Sequence, residues 1–365
     1  MDKLKITVLF WEERRPEKTT HDEVVDEVSA ALRESGHEVM TLGVCDSLRE
    51  LLDGLDDQRP DLVFNLCERF ADNDAFEMNV TAVLEMLGQP FTGTGPSGMV
   101  MRQDKVLTKK LLQFHNVTYP NYAIFDRHNI EFAGKMHFPL FVKPLKGDTS
   151  LGIDGTSLVN EYSKMVERID FIHNQLKEQA LVEEYIEGRE FYVGIIGNDP
   201  PEALPVMELD FSSLPAGAPR VFGRDYKDET SPSYKFINVG VATDLHSETR
   251  ARITAAGREA AYALKVRDYA RVDIRLSPTG TPVVVEVNAN PYLERTSAFA
   301  LAALQSGLGY TTLINKIVES ARKRYEPTPF LESLQKARTE RVRARKQLSK
   351  LMEKCDMTPE ANPPA

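Results

Sequence analysis

Two short runs hold the residues best suited to chemistry: Arg271-Val272-Asp273, and Val283-Val284-Val285-Glu286-Val287-Asn288-Ala289-Asn290-Pro291. Side chains alternate faces along a strand, so Arg271 and Asp273 point one way and Val272 and Ile274 the other. In the second run Val283, Val285 and Val287 form an apolar row, which leaves Glu286 and Asn288 on the opposite face. Ser277-Pro278-Thr279-Gly280 reads as a hairpin connection between them. Paired strands would gather Asp273, Glu286 and Asn288, all hard oxygen donors, on one face beside Arg271. Two carboxylates and an amide suit Mg²⁺, which keeps ligand positions open for phosphates. The plain alternative is a half-buried hairpin with a charged outer face.

A second candidate is the loop Lys143-Pro144-Leu145-Lys146-Gly147-Asp148-Thr149-Ser150-Leu151-Gly152. A lysine at a strand end followed by Gly, Thr, Ser and Gly offers backbone N–H groups and an ammonium to a polyphosphate. It is not a Walker A loop, because no Gly-Lys-Ser/Thr opens a helix. Alone it equally describes a surface turn.

The elements that must position these residues follow from periodicity. Ile6 to Phe10, His37 to Leu42 and Asp61 to Leu66 read as strands, with helices from Thr20 to Leu32, Ser47 to Leu55 and Glu77 to Leu87 between and after them. Thr20 with Glu23 forms a capping box. Strand and helix alternating at this spacing predicts a doubly wound parallel sheet. One helix is expected over Met101 to His115, strands over Phe138 to Pro144, Leu181 to Ile186 and Glu190 to Ile196, and a helix over Ser247 to Leu264. Asp210 to Lys235, rich in Pro and Gly, reads as a long functional loop.

Composition narrows the class. The 365 residues, 42% of them hydrophobic, suffice for two or three domains. A net charge of -10 argues against nucleic acid as a partner. Three scattered cysteines fit a reducing compartment, and no apolar run reaches membrane-spanning length, so a cytoplasmic location without membrane attachment is expected.

Taken in order, the elements resemble the ATP-grasp enzymes, specifically the D-alanine–D-alanine ligase branch. The resemblance runs from about Pro60 to Glu319. Phe91-Thr92-Gly93 and Asp104-Lys105 look like that family's Thr-Gly strand end and Asp-Lys helix. Lys143 to Gly152 is similar to its Lys-Pro…Gly-x-Ser-Ser-x-Gly loop, and Glu183 to Phe191 to its Glu-x-x-x-x-Gly-x-Glu-Phe segment. Arg271, Asp273, Glu286, Asn288 and Pro291 match Arg-x-Asp…Glu-x-Asn-x-x-Pro.

The resemblance implies an α/β, ATP-grasp architecture: an N-terminal doubly wound (pre-ATP-grasp) domain and two α+β subdomains clamping ATP. Residues 1–95 would be a Rossmann-like substrate domain, 96–188 the smaller central subdomain, 189–325 the C-terminal subdomain with the Mg²⁺ site, and 326–365 a charged helical tail. Lys105 and Lys143 would contact ATP, together with Gly147, Thr149, Ser150 and Gly152 of the loop. Glu183, with Glu184, Tyr185 and Ile186, would read the adenine edge, and Glu190 would hold the ribose. Asp273, Glu286 and Asn288 would bind Mg²⁺, with Mn²⁺ as a substitute. The catalytic set would be Arg271, Ser150 and Lys227, with Lys235 as the alternative to Lys227.

Departures from the family concern the substrate. Its Gly-Gly-x-Ser-x-Glu signature is replaced by Trp11-Glu12-Glu13-Arg14-Arg15-Pro16-Glu17, and its His-Gly…Gly-Glu-Asp-Gly stretch by Asn65-Leu66-Cys67-Glu68-Arg69-Phe70. Glu17 (or equally Glu13), Glu68, Asn290 and Ser297 are the expected substrate contacts. The implied activity is ATP-dependent ligation of a carboxylate to an amine through an acyl phosphate, releasing ADP and phosphate. The partners would be small carboxylates and amines, amino acids or peptides, in a homodimer. Alternatives are an authentic D-alanine–D-alanine ligase, a kinase, or a non-catalytic ATP-binding or scaffold protein.

Overall fold

The computed structural model describes residues 2–15, 18–127, 130–133, 135–146, 152–215, 218–223, 237–325 and 329–354. The chain opens with strand β1 (Lys5–Trp11), a small hairpin of β2 (Glu13–Arg15) and β3 (Lys18–Thr20), helix α1 (Glu23–Glu34), β4 (Glu38–Val44), α2 (Leu48–Gln58), β5 (Leu62–Leu66) and α3 (Glu77–Met86). The strands pair in parallel in the order β4-β1-β5. Ile6, Val8 and Phe10 enter one core and Leu9 the other, so β1 is apolar on both faces, as a parallel strand covered by helices must be. The helix cap differs from the expectation. Asp22, not Thr20, accepts from the Val24 amide at 3.0 Å, because Thr20 is already committed to the hairpin.

The middle of the chain holds α4 (Pro96–Gln103), α5 (Lys105–Phe114), β6 (Tyr122–Phe125), β7 (Ile130–Ala133), β8 (Leu140–Pro144), β9 (Leu158–Val159), α6 (Tyr162–Phe171) and β10 (Ala180–Glu184). The single helix expected from Met101 to His115 is two. Asp104 is extended (φ -99°, ψ 100°) and its carboxylate accepts from the amides of Val106 and Leu107, so it caps a new helix. The five strands form an antiparallel sheet, β7-β6-β10-β8-β9.

The remainder is β11 (Arg189–Ile196), β12 (Glu202–Ala203), β13 (Met207–Asp210), β14 (Asn238–Val241), α7 (Ser247–Ala263), β15 (Tyr269–Leu276), β16 (Pro282–Ala289), α8 (Ala298–Gln305), α9 (Tyr310–Arg324) and α10 (Pro329–Lys354). Its strands form a six-stranded antiparallel sheet with the path β14-β13-β11-β15-β16. The chain passes between the two antiparallel sheets at Gly188. That residue has φ +133°, and a Cβ there would lie 2.0 Å from the Leu276 carbonyl oxygen, so only glycine fits.

One core spans the first and last parts of the chain: Ile6, Val8, Val25 and Val28 pack with Leu313, Ile314, Ile317 and Val318 of α9. Fully burying such a side chain contributes about 1.5–3 kcal/mol each. The charged tail is a helix, α10, whose Arg338 donates to Asp56 (3.0 Å) and Gln89 (2.7 Å), and whose Val342 is buried. Among the described residues no helix is long and apolar enough to cross a membrane.

Candidate active site

The expected hairpin exists, with one irregularity that changes its faces. Arg271 stands opposite Asn288 and Asp273 opposite Glu286, but Ile274 pairs with Val284, so Val285 is the extra residue of a bulge. The bulge breaks the expected row of Val283, Val285 and Val287. Val284 and Val287 enter the core with Val272 and Ile274, while Val285 turns into the cleft beside Glu286. A bulge re-aims side chains in this manner without disturbing the strands on either side.

Asp273, Glu286, Asn288 and Arg271 are brought together. The Arg271 guanidinium donates to both Asp273 oxygens, Nε at 2.8 Å and Nη2 at 3.0 Å, and Asn288 Nδ2 donates to Asp273 Oδ2 at 3.3 Å. Burial alone would lower the Arg271 pKa; the Asp273 carboxylate outweighs it and keeps the guanidinium charged. Arg271 also lies over the Tyr192 ring, 4.5 Å from its centroid. Among the described residues no group of three His, Cys, Asp or Glu could hold a metal by itself. Two carboxylates and an amide nonetheless fit Mg²⁺, which is held by one or two carboxylates and completes its shell with waters and phosphate oxygens.

A cleft of about 800 Å³ lies between the two antiparallel sheets. Its floor and roof are apolar: Phe141, Tyr185, Val221, Phe222 and Val285. Its polar lining includes Lys105, Lys143, Glu190, Asp273 and Glu286. Lys105 and Glu286 also border a larger space of about 2280 Å³, with Arg69, Arg102 and Asp104 on its far side. A third, of about 340 Å³, is lined by Asn65, Glu68, Glu77, Tyr269, Asn290 and Tyr292.

The remaining expected residues are placed as follows. Glu183 lies between two ammonium groups, Lys109 Nζ at 2.6 Å and Lys143 Nζ at 2.8 Å. Burial would raise its carboxyl, but the two lysines overcome this and hold it at about 2. The Glu184 carboxylate accepts from Asn121 Nδ2 and the His137 amide, at 3.1 and 3.2 Å. The Glu184 and Tyr185 amides bond to the carbonyls of Asn121 and Pro139, and Ile186 lines the cleft. Glu190 stands 3.6 Å from Arg275, whose guanidinium lies under the Tyr185 ring. The Gly152 carbonyl accepts from Arg168.

On the substrate side, Asn290 accepts from the Thr94 amide at 2.8 Å, and Ser297 caps α8 by accepting from Ala300. Glu294 accepts from Tyr292 and Thr296, and the Arg295 amide donates to Glu27 of α1. Burial, helped by Glu77 and Glu68, pushes the Cys67 thiol up to about 12, so it stays protonated and inert. Glu17, Gly147, Thr149, Ser150, Lys227 and Lys235 lie outside the described residues.

Sequence reasoning assigned no role to Lys109 or Arg275. Both carried a signal: Lys109 is one helical turn beyond Lys105, and Arg275 shares the alternating face of Arg271 and Asp273.

Comparison with known proteins adds the family. Residues 111–319, more than half of the chain, match the model "D-ala D-ala ligase C-terminus". The chain belongs to the D-alanine–D-alanine ligase family. It is an ATP-grasp ligase that forms C–N bonds, with ATP and Mg²⁺ as its cofactors. Protein y4sG of Sinorhizobium fredii is 35% identical over 318 residues, covering 85% of this chain and 90% of its own. The D-alanine–D-alanine ligase of Ruminiclostridium cellulolyticum is 26% identical, over 82% and 78% of the two chains. The D-alanine–D-alanine ligase of Bacillus anthracis, solved with ATP, superposes with a TM-score of 0.68 at 22% identity, over 88% of this chain and 98% of that one. The resemblance read from the motifs is therefore borne out as family and fold.

Proposed function

We propose that this member of the family joins a carboxylate to an amine by way of an acyl phosphate, with substrates other than two D-alanines. The observation that carries the reading is the contrast between the two halves of the site. The nucleotide half has Lys105, Lys143, the apolar slot, Asp273 and Glu286 in one cleft, with Asn288 bonded to Asp273 beside it. The amino-acid half has Glu68, Glu77 and Tyr269 around a small pocket, and the sequence from Trp11 to Glu17 lacks the glycines of the family's first-substrate signature.

In this reading adenine enters the slot between Phe141, Tyr185 and Val285, where the Ile186 amide meets its edge. Glu190 faces the ribose and Lys105 and Lys143 face the phosphates. Mg²⁺, held by Asp273, Glu286 and Asn288, supplies neutralisation of phosphate charge. Arg271 stabilises the oxyanion that forms when the amine adds to the activated carbonyl, a contribution of about 3 kcal/mol. Transfer of the γ-phosphoryl group to the carboxylate oxygen releases ADP. The amine nitrogen then bonds to the acyl carbon, the C–O bond to phosphate breaks, and the amine gives up a proton.

A second reading, authentic D-alanine–D-alanine ligation, is favoured by the names of several relatives. One screen separates the two: ADP and phosphate release for carboxylates crossed with amines, including amino acids of both hands. The first reading expects turnover only with an acid and an amine present together, and little with D-alanine alone. Full activity on D-alanine alone decides for the second. AMP and pyrophosphate as products contradict both.

A further inference from the structure

Lys109 belongs to no part of the activity described so far, yet it is the most deeply buried cation beside the nucleotide cleft. Its side chain is 4% exposed, and it reaches Glu183 from α5 while Lys143 reaches the same carboxylate from β8. Each lysine takes its own oxygen: Oε1 for Lys109, Oε2 for Lys143. Lys143, but not Lys109, lines the cleft. Two ammonium groups and one carboxylate leave a charge of +1, and Lys143 is the only one of the two through which a ligand can feel it.

We propose that Lys109 is a positioning residue of the nucleotide site: by pairing the second oxygen of Glu183 it offsets that carboxylate's charge, so that Lys143, though bonded to the first oxygen, still presents a net positive charge to the cleft. The inference rests on the reading of this cleft as the ATP site. Without Lys109, Glu183 and Lys143 would form a closed, neutral pair, and the low local dielectric would make that pairing strong. A phosphate or nucleobase would then have to compete with Glu183 for the Lys143 ammonium. Tyr119 and Tyr122, with ring centroids 5.8 and 5.7 Å from Lys109 Nζ, fix the ammonium on its own side of the carboxylate. The anchoring of α5 to the sheet could be mistaken for this role, because the same ion pair serves both.

Charge separates the two. Lys109→Met removes one positive charge, whereas Lys109→Arg keeps it. The probe is the non-hydrolysable analogue AMP-PNP with Mg²⁺, measured by calorimetry on the full chain, with the thermal midpoint recorded in parallel. Lys109→Met is expected to bind about tenfold more weakly and Lys109→Arg to stay within about threefold of wild type, whichever of the two has the lower thermal midpoint. A purely structural role predicts that affinity follows the thermal midpoint and not the charge. That pattern, or a loss of less than about threefold in Lys109→Met, overturns the proposal. Should Lys109→Met fail to fold, Lys109→Gln, equally neutral, takes its place: a loss of about tenfold supports the proposal and one below about threefold refutes it. Failure of the wild-type chain to bind AMP-PNP would instead remove the nucleotide reading on which the inference stands.

Discussion

Arg271 and Asp273 grip each other in the free protein, so the guanidinium is in place before any substrate arrives. Its fork geometry matters, because two parallel N–H groups meet both Asp273 oxygens. Lysine would keep the charge but not the fork. Arg271→Lys is expected to lower kcat about 10²–10³-fold while AMP-PNP affinity, read by calorimetry, changes little. Glu183 makes a pH prediction at the same scale. Its folded carboxyl, at about 2, lies below the ordinary 4.5, so the ion triad adds stability above about pH 4.5 that is lost as pH falls toward 2. The difference in urea midpoint between wild type and Glu183→Gln should therefore shrink as pH drops from about 5 to 3. Strand alternation in the sequence put Arg271 with Asp273 and Glu286 with Asn288, since a two-residue period within one strand needs no knowledge of its partner; bringing the two pairs together required the strands to pair, as they do. It could not assign Glu183 to two lysines, because one of them arrives from a helix that tertiary packing alone places there.

Elements owe their boundaries to single residues whose local chemistry outweighed the broader pattern. The apolar periodicity of residues 101–115 continues through Asp104, yet the carboxylate's two amide acceptances start a second helix there. The valine run of β16 reads as uniform alternation, yet the bulge at Val285 shifts its faces. Neither is visible from periodicity, since a cap or a bulge changes phase without changing composition. Other joints depend on buried charge. Asp268, fully buried, accepts from the Gly93 amide (2.7 Å), Asn198 Nδ2 (2.8 Å) and both Arg324 Nε and Nη2 (2.8 and 2.6 Å). Arg324 Nη2 also donates to the Phe91 carbonyl at 2.9 Å. This clasp ties the Phe91–Gly93 segment that follows α3 to the start of β15 and the end of α9. Arg324→Met would strand the Asp268 charge and is expected to cost about 3–5 kcal/mol in urea unfolding.

For the whole molecule, the distribution of apolar cores decides what can move. The three-stranded and six-stranded sheets share one core through α1 and α9, and the Asp268 clasp adds to it. The five-stranded sheet has cores of its own, one under α6 and one under α5. The alternation of strands and helices announced the first unit in the sequence. The sharing of its core with the last unit was not legible there, because residues about 300 positions apart make the contact. Helix α5 belongs to both sides: Val106 packs with Leu181 in the small sheet's core, and Leu112 packs with Val193 and Val272 of the large sheet. It therefore joins the core of one sheet to that of the other. The β15–β16 hairpin and the pocket beside Asn290 lie on the part of the molecule whose sheets share a core, and Lys143 lies on the sheet with cores of its own. Under the proposed function, substitutions around the Asn65–Asn290 pocket are expected to change which acid or amine is joined while leaving Lys143, on the separate core, where it is.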